Sequence, residues 1–283
     1  MDVPDCDRAR SLAEELGDAV TFYKLGLELM MSGGYFELMD WMIERDKKVF
    51  ADLKFFDIPA TVGSAVRQLK DRGATCVTVH GNQSIMEAAA ANKGDNLKVL
   101  AVTVLTSLDR GDLDDLGFQC DVEELVLSRA RRALESGCDG VISSGLEAPR
   151  LREFVGEKLL VITPGIRPVD NKPTGDQKRV VSVEQAFRNG ADHIVVGRPI
   201  RDADSPRAAA ESLSPRAAPR ILPRSPGSAT WTCGSKADRL SAKSGAGNHR
   251  HPARQIDHLV APVRPILDVV APAAGDPRRA VQG

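Results

Sequence analysis

Short apolar runs alternate strictly with longer amphipathic stretches over residues 1–213, and this alternation constrains the fold more than any other feature of the sequence. Seven runs rich in Val, Ile and Leu predict strands at 20–26, 48–54, 75–80, 97–105, 140–144, 159–163 and 193–197. Helical patterns flank these strands near 7–17, 33–46, 60–73, 83–93, 121–137, 147–156 and 182–190. Such alternation is typical of α/β proteins with a parallel sheet.

Two architectures fit this alternation, an open parallel sheet and a closed (β/α)8 TIM barrel. No Gly-x-Gly-x-x-Gly follows the first strand, which disfavours a dinucleotide-binding open sheet. The sequence passes from the loop Asp2-Val3-Pro4-Asp5 straight into a helix, as a barrel would if its first strand were cut off just before Asp2. We therefore predict a (β/α)8 TIM barrel that lacks most of strand 1, with an open seven-stranded sheet as the alternative.

The composition changes sharply near residue 213, where the alternation stops. Residues 205–283 hold 12 Lys and Arg, 5 Asp and Glu and 10 of the 17 prolines, although the whole chain has a net charge of only -1. Proline interrupts helices, and stretches rich in Gly, Ser and Ala bury little apolar surface. The sequence predicts a barrel domain over 1–213 and a disordered extension over 214–283. A basic nucleic-acid-binding arm is the less favoured interpretation, because the basic residues are scattered.

The remaining composition indicates a soluble cytoplasmic protein. The five cysteines form no Cys-x-x-Cys pair, as expected in a reducing compartment. No apolar run approaches the ~20 residues that a membrane-spanning helix needs, and the N-terminal residues lack a signal-peptide pattern. His-Arg-His at 249–251 has no acidic or cysteine neighbours, so no metal site is expected there.

Charged residues cluster where the second predicted strand ends. Asp52 and Lys54 are two residues apart, so on a strand they would point to the same side, into the barrel. Asp57 follows in the loop, and Lys24 stands in the preceding apolar strand, which is expected to lie beside this one. Together with Asp2 they make a candidate array of alternating sign. The structural alternative is an ion pair that only holds the strands together.

Two strand ends that contain glycine and arginine predict a phosphate site. Gly165-Ile166-Arg167 follows the sixth predicted strand, and Gly197-Arg198 stands at the end of the seventh. Glycine lets backbone N–H groups approach an anion, and arginine can bind phosphate with two N–H groups. If strand 1 is missing, these are barrel strands 7 and 8, whose loops are the usual phosphate site of this fold.

Taken together, these segments resemble the orotidine 5′-phosphate decarboxylase family. The residues that carry the resemblance are Tyr23-Lys24-Leu25-Gly26, Asp52-Leu53-Lys54-Phe55-Phe56-Asp57-Ile58-Pro59 with Thr61, Val104-Leu105-Thr106-Ser107, Thr163-Pro164-Gly165-Ile166-Arg167, Asp176-Gln177 and Val196-Gly197-Arg198. Ala60 departs from the Asn that is common in this family between Pro and Thr. Related sugar-phosphate decarboxylases and lyases share the Asp-x-Lys-x-x-Asp element, so this class is an alternative.

The resemblance implies a homodimeric enzyme of pyrimidine biosynthesis that decarboxylates orotidine 5′-phosphate (OMP) to UMP without metal or organic cofactor. It implies that Lys54 protonates C6 of the pyrimidine and that Asp52 opposes the departing carboxylate. The other residues that it implies are Lys24 and Asp2 toward the array and the ribose, Asp57 and Thr61 toward the neighbouring subunit's site, Thr106 and Ser107 toward the pyrimidine, and Arg167, Gln177, Gly197 and Arg198 toward the phosphate. A truncated, inactive barrel that binds phosphate ligands is the third possibility. No nucleic-acid or membrane partner is expected.

Overall fold

Seven parallel strands form one sheet, and their order in the sheet equals their order in the chain. The computed structural model describes residues 1–166 and 179–213. The strands are β1 (Phe22–Leu25), β2 (Lys48–Phe55), β3 (Cys76–His80), β4 (Lys98–Val102), β5 (Gly140–Ile142), β6 (Leu160–Thr163) and β7 (His193–Ile194). A doubly wound sheet would show a reversal of strand order, and the described strands show none. The predicted α/β barrel-type fold with seven visible strands is confirmed, and within the described residues β1 and β7 are not paired with each other.

Eleven helices accompany the strands in the described residues. They are α1 (Cys6–Leu16), α2 (Leu27–Met31), α3 (Tyr35–Ile43), α4 (Pro59–Asp71), α5 (Gln83–Asn92), α6 (Arg110–Asp115), α7 (Val122–Glu135), α8 (Ala148–Val155), α9 (Val183–Arg188), α10 (Arg198–Arg201) and α11 (Pro206–Ser212). Seven of them match the predicted helices to within a few residues. The sequence pattern missed α2, α6, α10 and α11, which have four to seven residues and show little apolar periodicity; α9 is equally short but was predicted.

Local sequence signals explain where several of these helices begin and end. The Asp5 carboxylate accepts the Arg8 backbone N–H at 2.8 Å and caps α1. Asp121 and Glu124 form a reciprocal capping box at the start of α7. After α7 and α9 the chain turns through Gly137 and Gly190 at positive φ, a conformation that glycine adopts without a Cβ penalty.

Two aspartates fix the strands at their amino-terminal ends. Asp139, just before β5, accepts the backbone N–H of Val99 at 2.8 Å and the Lys93 ammonium at 2.6 Å. Asp192, just before β7, accepts the backbone N–H of Val161 at 2.7 Å and also pairs with Arg152 on α8. Each carboxylate therefore ties its own strand to the neighbouring strand at the end of the sheet opposite to the charged residues singled out above.

The buried polar side chains lie at the other end of the sheet. The strands are otherwise filled with aliphatic and aromatic side chains that form one continuous core with the helices. The buried polar residues all lie at the middle of a strand, in its carboxyl-terminal half or beyond its end; they are Lys24, Asp52, Thr78, Thr103, Ser143, Ser144, Glu147 and Thr163. Burial of a polar group costs free energy unless the group is paired, so a cluster of buried polar side chains marks this end of the sheet as the candidate functional site.

No helix within 1–166 and 179–213 is long and apolar enough to cross a membrane. The predicted extension over 214–283 lies outside the described residues, so the domain boundary near residue 213 stays a prediction.

Candidate active site

A cavity of about 460 Å³ opens at the carboxyl-terminal ends of the strands. Its walls come from β1, β2 and the segments that follow β4, β6 and β7. The polar residues that line it are Asp2, Lys24, Asp52, Lys54, Thr106, Arg198 and Arg201, together with the backbone of Gly26, Gly165 and Gly197. This is the face where barrel enzymes place their catalytic groups.

Four charged side chains form a chain of alternating sign in this cavity. Lys24 Nζ lies 3.4 Å from Asp2 Oδ1 and 3.3 Å from Asp52 Oδ2. Lys54 Nζ donates to Asp52 Oδ1 at 2.9 Å. The sequence-based expectation that Lys24 neighbours Asp52 across adjacent strands corresponds to this geometry. Each buried charge has an opposite partner, which offsets the cost of removing it from water.

Strand β2 is irregular where it carries these groups. Ala51 is paired with Val77 of β3, but Phe55 is paired with Val79, so extra residues of β2 bulge between these pairs. Lys54 lies in this bulge with φ +48, a left-handed conformation that non-glycine residues rarely adopt. The regular strand assumed from the sequence is therefore wrong at this point. Bulges and strained residues cluster at active sites, where they aim a side chain.

Thr78 of β3 holds the bulge in place, a role that sequence reasoning missed. Its hydroxyl accepts the backbone N–H of Lys54 at 3.0 Å and donates to Asp52 Oδ1 at 2.9 Å. The backbone N–H that leaves the sheet ladder is therefore satisfied by a side chain. The available signal was a threonine inside an apolar strand pattern, Val77-Thr78-Val79, although threonine is also an ordinary strand residue.

The two lysines keep the central carboxylate ionised. Burial alone would raise the pKa of Asp52, but the charges of Lys24 and Lys54 and the hydrogen bonds from Lys54 and Thr78 outweigh it and lower this pKa to about 2. For Asp2, burial again opposes ionisation, and Lys24 with the N-terminal ammonium lowers the pKa below its usual value. The site therefore holds both carboxylates in their ionised form near neutral pH.

Replacement of Asp52 by Asn should destabilise the fold in a pH-dependent way. Removal of one partner leaves two lysines facing each other, which should cost about 3 kcal/mol of unfolding free energy at pH 7. The folded-state pKa of Asp52 lies below the ordinary value of 3.8, so its stabilisation is present above about pH 4 and is lost as the pH falls toward 2. Denaturant unfolding should show the wild-type advantage over Asp52→Asn shrinking by about 2 kcal/mol across that interval.

The matched control for this measurement is Asp71→Asn, which removes a carboxylate from an exposed pair with Lys70 at 3.2 Å. Exposed pairs contribute little, so this variant should follow the wild type at every pH. An Asp52→Asn variant as stable as the wild type at pH 7 would contradict the assigned electrostatics.

The end of the cavity that the sequence predicts to bind phosphate, called the anion end below, lies between the segments that follow β6 and β7. Gly165, Gly197 and Arg198 line it, and Gly197 directly precedes α10. Arg201, one turn further along α10, also lines the cavity and donates to the backbone carbonyl of Asp2. Sequence reasoning missed Arg201, which lies three residues after Arg198. Arg167 and Gln177, predicted for the same site, lie outside the described residues.

The other predicted residues divide into those that reach the cavity and those that do not. Thr106 lines the cavity, but the next residue, Ser107, is exposed and does not. Asp57 and Thr61 are exposed on the loop after β2 and the start of α4, outside this cavity. The carboxylate of Asp57 accepts the backbone N–H of Ile58 at 2.6 Å. The prediction that Asp57 and Thr61 serve the neighbouring subunit's site stays a prediction.

Metal ligation is not indicated by the side chains that the structure describes. No group of three His, Cys, Asp or Glu residues among them is arranged to hold a metal ion.

The fold and the charged cavity together define an enzyme of the β/α-barrel class. Residues 1–213 match the model of the orotidine 5′-phosphate decarboxylase / HUMPS family, and the chain belongs to that family.

Named relatives cover most of the same region. A Methylococcus capsulatus protein named orotidine 5′-phosphate decarboxylase is 68% identical over 211 residues, which are 75% of this chain and 87% of the relative. A Nitrobacter winogradskyi protein of the same name is 47% identical over 224 residues, covering 79% of this chain and 92% of the relative. The crystal structure of orotidine 5′-phosphate decarboxylase from Lactobacillus acidophilus superposes with a TM-score of 0.67 at 34% identity, covering 75% of this chain and 94% of the other.

Proposed function

We propose that this protein decarboxylates OMP to UMP and that Lys54 protonates C6 of the pyrimidine. The observation that carries the proposal is the ion pair of half-buried Lys54 with buried Asp52, set in the chain of alternating charges that begins at Asp2. Relatives that bear this activity in their names, at up to 68% identity, support the choice of substrate.

Fixed charge is the means by which such a site can accelerate decarboxylation. Loss of CO2 breaks the bond between C6 and the carboxyl carbon and leaves the electron pair on C6. Lys54 places a positive charge near that carbon and then transfers its proton to it, which gives UMP and a neutral amine. Asp52 lies beside Lys54 and opposes the substrate carboxylate, whose negative charge is lost as CO2 departs. The charges are paired in advance, so little reorganisation is needed during the reaction.

The phosphate of OMP supplies binding energy far from the reacting carbon. Arg198 and the backbone of Gly197 line the cavity after β7, on a different strand end from Lys54, and carry N–H donors suited to a phosphate. Thr106 lies at the strand end proposed to contact the pyrimidine. Remote binding of this kind can be used to orient the base against the charged array. The proposed contributions of Arg167 and Gln177 fall on residues outside the described part of the chain.

A second copy of the chain is proposed to complete each site. Phe56 and Ile58 flank Asp57 and are 65% and 66% exposed, although both are large apolar residues. Exposed apolar side chains around a polar group are typical of protein interfaces. We therefore assign this loop to a homodimer interface in a cytoplasmic enzyme, with Asp57 and Thr61 directed toward the partner's substrate.

The absorbance of OMP, followed with purified full-length protein in the presence of EDTA, tests the proposed function. We expect the OMP absorbance to be lost and UMP to form at the same rate with and without the chelator. The family model is described as orotidine 5′-phosphate decarboxylase / HUMPS and so covers more than one group of enzymes. Sugar-phosphate lyases share the Asp-x-Lys-x-x-Asp element, so a sugar-phosphate lyase is the second candidate function. Activity on a sugar phosphate that EDTA abolishes, with OMP unchanged, would favour that class. No turnover of either substrate would favour an inactive phosphate-binding barrel.

Arg198→Ala should weaken catalysis only when the substrate carries a phosphate. Loss of charge-assisted hydrogen bonds should raise the KM for OMP about 10- to 100-fold. The slow decarboxylation of orotidine, which lacks the phosphate, should change less than about threefold, because Arg198 would have nothing to bind. Arg188→Ala, which removes an exposed partner of Glu184 on α9, is the matched control. Equal losses on both substrates would contradict a phosphate role.

A further inference from the structure

A second buried ion pair lies near the cavity, and the proposed chemistry does not use it. Arg179 Nη1 donates to Glu147 Oε1 at 2.6 Å, and the two side chains are only 13% and 8% exposed. Ser143, at the end of β5, donates its hydroxyl to the other Glu147 oxygen at 3.3 Å. Burial of two charges costs free energy, so a contribution to stability alone does not explain why this ion pair is present.

The same guanidinium binds the strand end that leads to Thr106. Arg179 Nη2 donates to the backbone carbonyl of Leu105 at 2.9 Å and lies 3.3 Å from that of Val104. Val104, Leu105 and Thr106 all line the cavity. Arg179 therefore holds the two peptide units that immediately precede the residue proposed to contact the pyrimidine.

Arg179 is also joined closely to the anion end of the cavity. Two residues further on, Val181 donates its backbone N–H to the carbonyl of Gly165 at 3.1 Å and pairs with Ile166 in a parallel bridge. Gly165 lines the cavity after β6. The Arg179 side chain thus connects the segments after β4 and β5, and the backbone two residues further on connects this short segment to the end of β6.

A comparable ion pair shows what a purely structural connection looks like in this fold. Arg152 pairs with Asp192 at the amino-terminal ends of β6 and β7, and Arg152 also donates to the carbonyls of Gly190 and Leu159. Its arrangement of one carboxylate and backbone carbonyls matches that of Arg179. The difference is position, because the carbonyls that Arg179 binds belong to Val104 and Leu105, which line the cavity, whereas Gly190 and Leu159 do not line it.

We propose that Arg179, held by Glu147, is a positioning residue that fixes Thr106 and Gly165 for the base and the phosphate of the substrate. The inference rests on the proposed OMP decarboxylase function. Displacement of reacting groups by about 1 Å can cost about 100-fold in rate, so a loosened strand end should reduce turnover without loss of the fold.

Steady-state kinetics of four variants, measured at a temperature where circular dichroism shows each of them folded, test the proposal. Arg179→Ala should lower kcat/KM for OMP about 100-fold. Arg179→Lys keeps the charge but cannot reach Glu147 and both carbonyls together, so it should recover about a tenth of wild-type activity. Glu147→Gln should fall between these two. Arg152→Ala, the control, should lower the melting temperature but keep kcat/KM within about threefold of the wild type.

The outcomes separate this proposal from the proposed function. A wild-type protein that fails to convert OMP removes both. If the wild type is active but Arg179→Ala and Arg152→Ala have the same kcat/KM, the positioning role is overturned and the proposed function stands. If Arg179→Ala does not fold, the kinetics of Arg179→Lys and Glu147→Gln test the positioning role instead. Full activity in both variants would overturn that role.

Discussion

Lys54→Ala should abolish OMP decarboxylation, with kcat/KM reduced by at least about 10⁴-fold. The lysine serves two purposes in the proposed reaction, because its charge stabilises the developing carbanion and its proton completes the product. Alanine removes both, and water in the vacated space is neither charged nor fixed. The loss should exceed that of every other single substitution discussed for this chain. The measurement is the rate of UMP formation at saturating and at limiting OMP.

Lys93→Ala provides the matched control for that experiment. Lys93 is also a partly buried lysine paired with an aspartate, since its Nζ lies 2.6 Å from Asp139 Oδ2. It belongs to the amino-terminal end of the sheet, so its loss should affect stability and leave turnover within about threefold of the wild type. A Lys54→Ala variant that retains a tenth of the wild-type rate would contradict the assigned role of Lys54.

Asp57→Ala should also strongly impair turnover, although Asp57 lies outside the cavity of its own chain. In the proposed homodimer each site combines Lys54 of one subunit with Asp57 of the other. A loss of about 10²-fold or more is expected if the carboxylate binds the substrate across the interface. Wild-type kinetics in Asp57→Ala would contradict a shared site.

Mixed dimers make this expectation quantitative. If Lys54→Ala and Asp57→Ala subunits exchange freely, about half of the dimers are mixed, and each mixed dimer has one intact site and one doubly defective site. Activity should therefore return to about a quarter of the wild-type value. A mixture of Lys54→Ala with Asp52→Asn is the control. Lys54 and Asp52 of one chain serve the same site, so each site of a mixed dimer carries one of the two defects and none is intact. Recovery in the control, or its absence in the first mixture, would exclude the shared arrangement.

The strands and most helices could be predicted from the sequence because both follow from local patterns. The aliphatic run of β4 and the Gly-Cys-Asp and Gly-Ala-Asp turns before β5 and β7 are readable within a few residues. The short helix α10 carries too little periodicity, and its placement depends on Ile200, which is fully buried against the core. Tertiary packing rather than helix propensity decides such elements.

The site was predictable in its residue types and less so in its geometry. Unpaired charges are too costly inside a barrel, so Lys24 and Asp52 on adjacent strands had to meet. The bulge at Lys54 depends on the register between β2 and β3, which a single strand does not encode. Contacts between residues distant in sequence, such as Arg179 with Glu147, also leave no periodic signal, and the sequence pattern did not single out either residue.

Whether Lys54 protonates C6 is tested by the fate of OMP in D2O when the purified full-length chain is added. The ammonium protons of Lys54 exchange with solvent, so we expect UMP with one deuterium at C6 and one CO2 released for each OMP consumed. Lys54→Ala in the same assay should yield neither product above the uncatalysed rate. Failure of the wild-type chain to convert OMP, or equal rates for the two proteins, would contradict catalysis by Lys54.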